Sequence, residues 1–204
     1  MKRYEQYCPV ACSLGLVGER WTLLVVRELM GGPKRYTDLV AGLPGIGTNI
    51  LAARLKDLQE SGLVERHELP PPAASTVYEL TETGRQLRPV LHELARFGAR
   101  YLGPPPPDAL EPGWLLGALD LAVAPLAPDA RIAFHVGEEE ASLAGGAAVP
   151  GLVDDPAATV ECDPTAFYEL FVSGRLEGVR IEGDRELVEG IAAAFAPTAE
   201  PLPA

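Results

Sequence analysis

The sequence predicts a mainly α domain that closes on one small β-hairpin, followed by a separate α+β domain. Three observations carry this reading. The stretch GPPPP, Gly103 to Pro107, favours an extended, semi-rigid spacer between two parts. Charge divides at the same place: residues 1–103 hold 13 Lys and Arg against 11 Asp and Glu, residues 104–204 hold 4 against 18, and the whole chain sums to -12. The hydrophobic spacing is also helical through most of the first part and mixed in the second. The expected organisation is therefore a domain over 1–103, a Pro-rich linker at 104–107, a second domain over 108–196 and a tail at 197–204.

Residues 9–17 and 19–30 read as helices, the second with Trp21, Leu24, Val25, Glu28 and Leu29 at i, i+3, i+4, i+7 and i+8. Gly31-Gly32-Pro33 stops it. Tyr36, Leu39, Val40 and Leu43 repeat the spacing in a third helix, for which Thr37 is a candidate cap. The corner Pro44-Gly45-Ile46-Gly47 leads into a fourth helix from about Thr48 to Ser61. Its Leu51, Leu55 and Leu58 form one stripe, with Asn49, Ala53 and Lys56 opposite and Thr48 and Ala52 flanking. Leu63 to Leu69 and Thr76 to Leu80 are strand-like around a Pro-rich tip, and Thr81 to Tyr101 reads as one long helix. Helix, corner, helix and hairpin is the order of a winged helix-turn-helix.

The runs CPVACSLGLVGERWTLLVVREL, GPKRYTDL, LPGIGTNILAARLKDLQESGLVER and YELTETGRQLRPVLHELARFG occur in that order over residues 7–101. Together they resemble the HxlR family of bacterial transcriptional regulators, relatives of the MarR-type winged helices. The resemblance implies a homodimer that binds a palindromic operator in double-stranded DNA, here expected to act as a repressor in the cytoplasm.

On that reading the fourth helix enters the major groove. Asn49 can pair bidentately with adenine, Thr48 can contact a base or a phosphate, and Ala52 and Ala53 can touch thymine methyls. Lys34, Arg35, Arg54 and Lys56 become phosphate contacts that position the domain. Each residue also has a plainer reading: Arg54 in a structural ion pair, Asn49 facing water, Thr48 as a helix cap, and Lys34-Arg35 as a solvated surface. The wing departs from the family pattern, since no Lys or Arg stands between His67 and Glu79 to enter a minor groove.

Three cysteines, Cys8, Cys12 and Cys162, suggest no disulfide framework. Cys8 falls in the family's Cys-Pro position, where some relatives sense oxidants or electrophiles. A helix start with Lys2 and Arg3 nearby can favour its thiolate; a packed, unreactive thiol is the alternative.

In the second part, Leu110 to Leu126 reads as an apolar helix, Ile132 to Val136 as a strand, and Ser142 to Ala144 and Ala158 to Cys162 as shorter strands. Asp163 and Asp184 head two further helices. This order, with DPTAFYELFVSGRL and VRIEGDRELVEGIAAAF, resembles the sterol carrier protein type 2 fold. That resemblance implies an apolar tunnel and a hydrophobic small-molecule ligand, for which Trp114, Phe134, Phe167, Tyr168 and Phe171 are candidate lining residues, or else a packed core.

No catalytic set, phosphate loop or metal-ligand spacing is evident, so no enzyme activity, cofactor or metal is expected. No apolar run is long enough to span a membrane. The competing reading is a lipid-binding or protein-interaction module in which the winged helix serves mainly dimerisation.

Overall fold

Pro9, with its fixed φ, starts helix α1 (Pro9–Val17), and Cys8 stands before it in extended conformation. The next helix, α2 (Thr22–Met30), begins later than the periodicity predicts, because Trp21 adopts a left-handed φ of 78°. That conformation is costly for a bulky residue, and it breaks the chain direction between α1 and α2. Val25, Val26 and Leu29 are buried, whereas Leu24 is exposed. Helix α3 (Tyr36–Gly42) starts one residue before Thr37, and the cap comes instead from Asp38, whose carboxylate accepts from the backbone N–H of Arg35 at 3.0 Å.

The corner turns at Gly45, where φ is +88° and a side chain would be strained. Helix α4 (Thr48–Glu60) follows, and its Leu51, Leu55 and Leu58 are fully buried as the stripe predicts. Strands β1 (Val64–Glu68) and β2 (Thr76–Leu80) pair antiparallel, with Val64 opposite Leu80 and Glu65 opposite Glu79. Backbone bonds between Lys34 and Tyr78, at 3.0 and 2.8 Å, stitch the segment before α3 onto β2.

The expected long helix is two. A short α5 (Glu82–Arg85) is capped by Thr81, whose hydroxyl accepts from Gly84 N–H at 3.1 Å and donates to the Gly62 carbonyl at 2.7 Å. The chain re-enters a helix at α6 (Arg88–Leu102). Pro89 lacks the N–H that a continuous helix would bond to the fourth residue before it, so the break falls there.

By their internal contacts the residues divide into two units, Met1–Leu91 and His92–Ala204, with α6 running across the division. The computed structural model describes residues 4–70, 74–106 and 110–195. Lys2, Arg3, the hairpin tip at 71–73, Pro107 of the linker and the tail from 197 lie outside the described residues.

The second unit is built on a five-stranded sheet in the order β5-β4-β3-β6-β7. It comprises β3 (Ile132–Val136), β4 (Glu139–Ala144), β5 (Ala147–Pro150), β6 (Ala158–Cys162) and β7 (Arg180–Gly183). Pairing is antiparallel except between β3 and β6, which run parallel at the centre. Helix α7 (Trp114–Ala118) continues through a wider turn at Leu119–Val123 and a tighter one at Ala124–Leu126, so the predicted single helix is irregular. Glu139 holds its start, accepting from Leu115 N–H at 3.0 Å. Helices α8 (Pro164–Ser173) and α9 (Arg185–Phe195) begin at the predicted Asp residues: Asp163 accepts from Ala166 N–H at 2.7 Å and Asp184 from Leu187 N–H at 2.9 Å. The core joins Ile132, Phe134, Val136, Leu143 and Val160 of the sheet to the helices.

Candidate nucleic-acid interface

The leucine stripe of α4 decides what its other side presents. With Leu51, Leu55 and Leu58 held inside, Thr48, Asn49, Ala52, Ala53 and Lys56 all stand exposed. The Tyr36 hydroxyl donates to the Thr48 carbonyl at 2.7 Å, so the starts of α3 and α4 are tied directly. Lys56 lies 3.7 Å from Glu60 one turn on, with both side chains well exposed, a pairing too solvated to hold it against a phosphate.

Two of the predicted cations are held in ion pairs. Arg54 is largely buried, 3.1 Å from Asp57 and 3.6 Å from Glu19, and so makes the structural ion pair that was its plainer reading. Lys34 Nζ lies 2.7 Å from Glu28 Oε2, and Arg27 Nη2 lies 2.7 Å from Oε1 of the same carboxylate. Burial raises the Glu28 carboxyl, but the hydrogen bonds from Lys34 and Arg27 outweigh it and hold the group below the usual carboxylate range. Arg35 remains on the surface, where its Nε donates to Ser75 Oγ at 3.2 Å, linking the start of α3 to the wing. The exposed polar and basic residues brought together are thus Arg35, Thr48, Asn49 and Lys56, with the methyl groups of Ala52 and Ala53.

Sequence reasoning missed Ile50, whose side chain is 46% exposed on α4. An apolar residue outside the Leu51-Leu55-Leu58 stripe is the sign that could have found it. Tyr36 shares the helical spacing of Leu39, Val40 and Leu43, but that spacing does not indicate the hydroxyl that ties α3 to α4.

All three cysteines are free: Cys8 is half-buried before α1, Cys12 is exposed and Cys162 is half-buried. Burial, helped by Asp163 and Glu161, pushes the Cys162 thiol up to about 12.

The five aromatic residues proposed for a ligand pocket pack mostly on one another. Phe134, Phe167 and Phe171 are buried, with Phe167 and Phe171 centroids 5.0 Å apart and Trp114 edge-on to Phe167 at 5.7 Å. Phe195 closes the cluster against Phe171 at 6.1 Å. Tyr168 points its hydroxyl to the Ala99 carbonyl at 3.1 Å. The phenylalanines are core rings, held with Trp114 by edge and tilted contacts. Concave space among the described residues of this unit includes a cleft of about 550 Å³ with Leu126, Leu187 and Ile191 on its wall, and a more polar one of about 660 Å³ lined by His135, Glu161, Cys162, Asp163, Arg180 and Glu182. Among the described residues no single helix is long and apolar enough to cross a membrane.

Comparison with known proteins bears on the N-terminal half of the chain. A family described as HxlR-like helix-turn-helix matches residues 16–105. The HTH-type transcriptional regulator YodB of Bacillus subtilis is 36% identical over 98 residues, 48% of this chain and 88% of that protein. The HTH-type regulator YvaP of the same organism is 30% identical over 101 residues, 49% of this chain and 94% of its own length. A solved structure, the reduced form of YodB, aligns over 50% of this chain and 100% of that one at 34% identity, with a TM-score of 0.42.

Proposed function

Because the chain belongs through its N-terminal half to the HxlR-like helix-turn-helix family of transcriptional regulators, we propose that it acts in the cytoplasm as a dimeric repressor on a palindromic operator, reading bases with α4. The observation that carries this is the outward face of α4, where Thr48, Asn49, Ala52, Ala53 and Lys56 stand exposed above a buried leucine stripe. Asn49 offers a bidentate pair to adenine, Ile50 and the alanines meet thymine methyls, and Lys56 and Arg35 take phosphates. Lys34 and Arg54 act from behind, through Glu28 and through Glu19 and Asp57.

Support for a dimer comes from α6. Val90, Leu94, Phe97 and Tyr101 are exposed apolar residues at spacings of four, three and four, the repeat of a helix seam that meets a second copy. On α1, Val10 and Leu14 add a further exposed pair. Two reading helices then meet half-sites one or two turns apart, at ~10 bp per turn. Since α6 favours pairing whether or not DNA is bound, it also favours the second reading, a module whose winged helix serves dimerisation.

For residues 108–196 we retain the resemblance to a sterol carrier protein type 2 domain. Helix, three-stranded meander, crossover to a parallel strand, helix and antiparallel edge strand support it. The cleft beside Leu126, Leu187 and Ile191 is the better seat for an apolar ligand than the packed aromatic cluster. Cys8, ahead of the first turn of α1, is retained as the candidate redox residue.

Footprinting of the full chain on the DNA upstream of its own gene tests the reading. A protected palindrome supports it. Equal binding to operator and random DNA, with the dimer intact, moves the function to the interaction module.

A further inference from the structure

We propose that the β1–β2 hairpin carries a binding site for a divalent transition-metal cation, formed by Glu65, His67 and Glu79. Glu65 and His67 stand two residues apart on β1, and Glu79 is the register partner of Glu65 on β2, so the three side chains leave one face of the hairpin. One ligand atom from each lies within 4.8 Å of the other two. The His67 Nε2 to Glu79 Oε2 separation is 3.8 Å.

The local charge arrangement asks for a cation. Two carboxylates directly opposite each other repel across an antiparallel pair. Arg85 relieves part of this, its Nη1 lying 3.4 Å from Glu79 Oε1, but Arg85 is itself shared with Glu82 at 3.6 Å. Glu79 thus gives one oxygen to Arg85 and turns the other toward His67. Glu65 is exposed beside them.

The donor set selects the ion. One imidazole nitrogen with two carboxylate oxygens suits Zn²⁺ or Mn²⁺, whereas Ca²⁺ takes six or more oxygens and Mg²⁺ keeps most of its water. Donors at ~2.0–2.2 Å from a shared zinc ion stand roughly 3.3–3.5 Å apart. Strand register already fixes the three backbones, so side-chain rotation alone closes the site, and water completes the coordination. The consequence for DNA rests on the reading above: the wing has no Lys or Arg between His67 and Glu79, and a bound dication offsets its carboxylates next to a phosphate backbone.

The test is a calorimetric titration of Zn²⁺, without DNA, into the tag-free full chain, its Glu65→Gln and His67→Ala variants, and a Cys8→Ser/Cys12→Ser variant. One Zn²⁺ per chain is expected, weakened about tenfold or more in Glu65→Gln and His67→Ala and unchanged in the cysteine variant. Without metal, Glu65→Gln should melt higher than wild type, because it removes the carboxylate pair; with Zn²⁺ wild type should gain and the variant should not. Absence of binding, binding unaffected by Glu65→Gln and His67→Ala, or binding lost with the cysteines overturns the proposal. Operator affinity with and without Zn²⁺ is then measured separately, so failure of the DNA reading leaves the metal result standing.

Discussion

Lys34 Nζ and Glu28 Oε2 lie 2.7 Å apart and join the segment before α3 to the last turn of α2. Two consequences follow for experiment. Lys34→Ala should lower the stability of the first unit by about 1.5–3 kcal/mol, the range for a hydrogen bond to a charged group, while Arg35→Ala should leave stability unchanged and weaken operator and random DNA alike. The pH dependence has a definite sign. The folded Glu28 carboxyl titrates below its unfolded value, so the network stabilises above the unfolded value and its contribution is lost as pH falls through the folded one. Urea unfolding followed from roughly pH 7 down to 3 should show a shallower acid loss for Glu28→Gln than for wild type.

Asn49→Ala should cost ~1–3 kcal/mol on the true operator and far less on random sequence. Ile50→Ser should also weaken the operator complex without lowering the melting midpoint, because the side chain is already exposed. Titrations of both variants against the two DNAs, with circular dichroism melts alongside, check this pair. Equal losses on both DNAs would remove Asn49 from base reading.

Gly84 sits where a Cβ would run into the backbone carbonyl of Leu63, which cannot move without disturbing β1. Gly84→Ala should therefore destabilise the first unit by about 1–3 kcal/mol, the range for overpacking, although alanine is the better helix former. A midpoint at or above wild type in chemical unfolding would contradict the close approach of α5 to that carbonyl.

Leu94→Glu and Phe97→Glu place charges on the exposed seam of α6. Each should shift the particle from dimer to monomer in light scattering at micromolar concentration, and the paired variant should lose half-site cooperativity on the operator. Retention of the dimer would assign pairing to another surface.

Thiol labelling separates the cysteines. At pH 8 an alkylating reagent should modify the exposed Cys12 and the half-buried Cys8 in the native protein, while Cys162, protonated at that pH by burial and neighbouring carboxylates, should react only after unfolding. If Cys8 modification leaves operator binding unchanged, a redox role there fails.

Local signals made much of this readable from the sequence. The leucines of α4 declared their own burial, and Asp163 and Asp184 began the helices that their position before apolar runs predicted. What escaped depended on partners distant in the chain. Trp21 holds a left-handed conformation that periodicity does not encode, and α2 starts late because of it. Strands β5 and β7 are short edge strands with little pattern of their own. Glu28 looked like the odd residue in an apolar stripe until Lys34 and Arg27 came to meet it, and of the two readings open for Arg54 the ion pair needed Glu19 and Asp57 to be placed beside it. The aromatic residues were rightly read as apolar, but whether rings line a space or fill it is a property of packing.

The parallel pairing of β3 with β6 has a consequence for synthesis on the ribosome. Strands β3, β4 and β5 can form a meander as they emerge, but one side of β3 stays unpaired until Ala158 to Cys162 have been added. At roughly 5–20 residues per second, adding residues 137 to 162 takes on the order of seconds. Through that interval Ile132, Phe134 and Val136 lie on an open strand edge beside an incomplete core, which makes the nascent second unit, more than the completed protein, the stage at which neighbouring chains can aggregate.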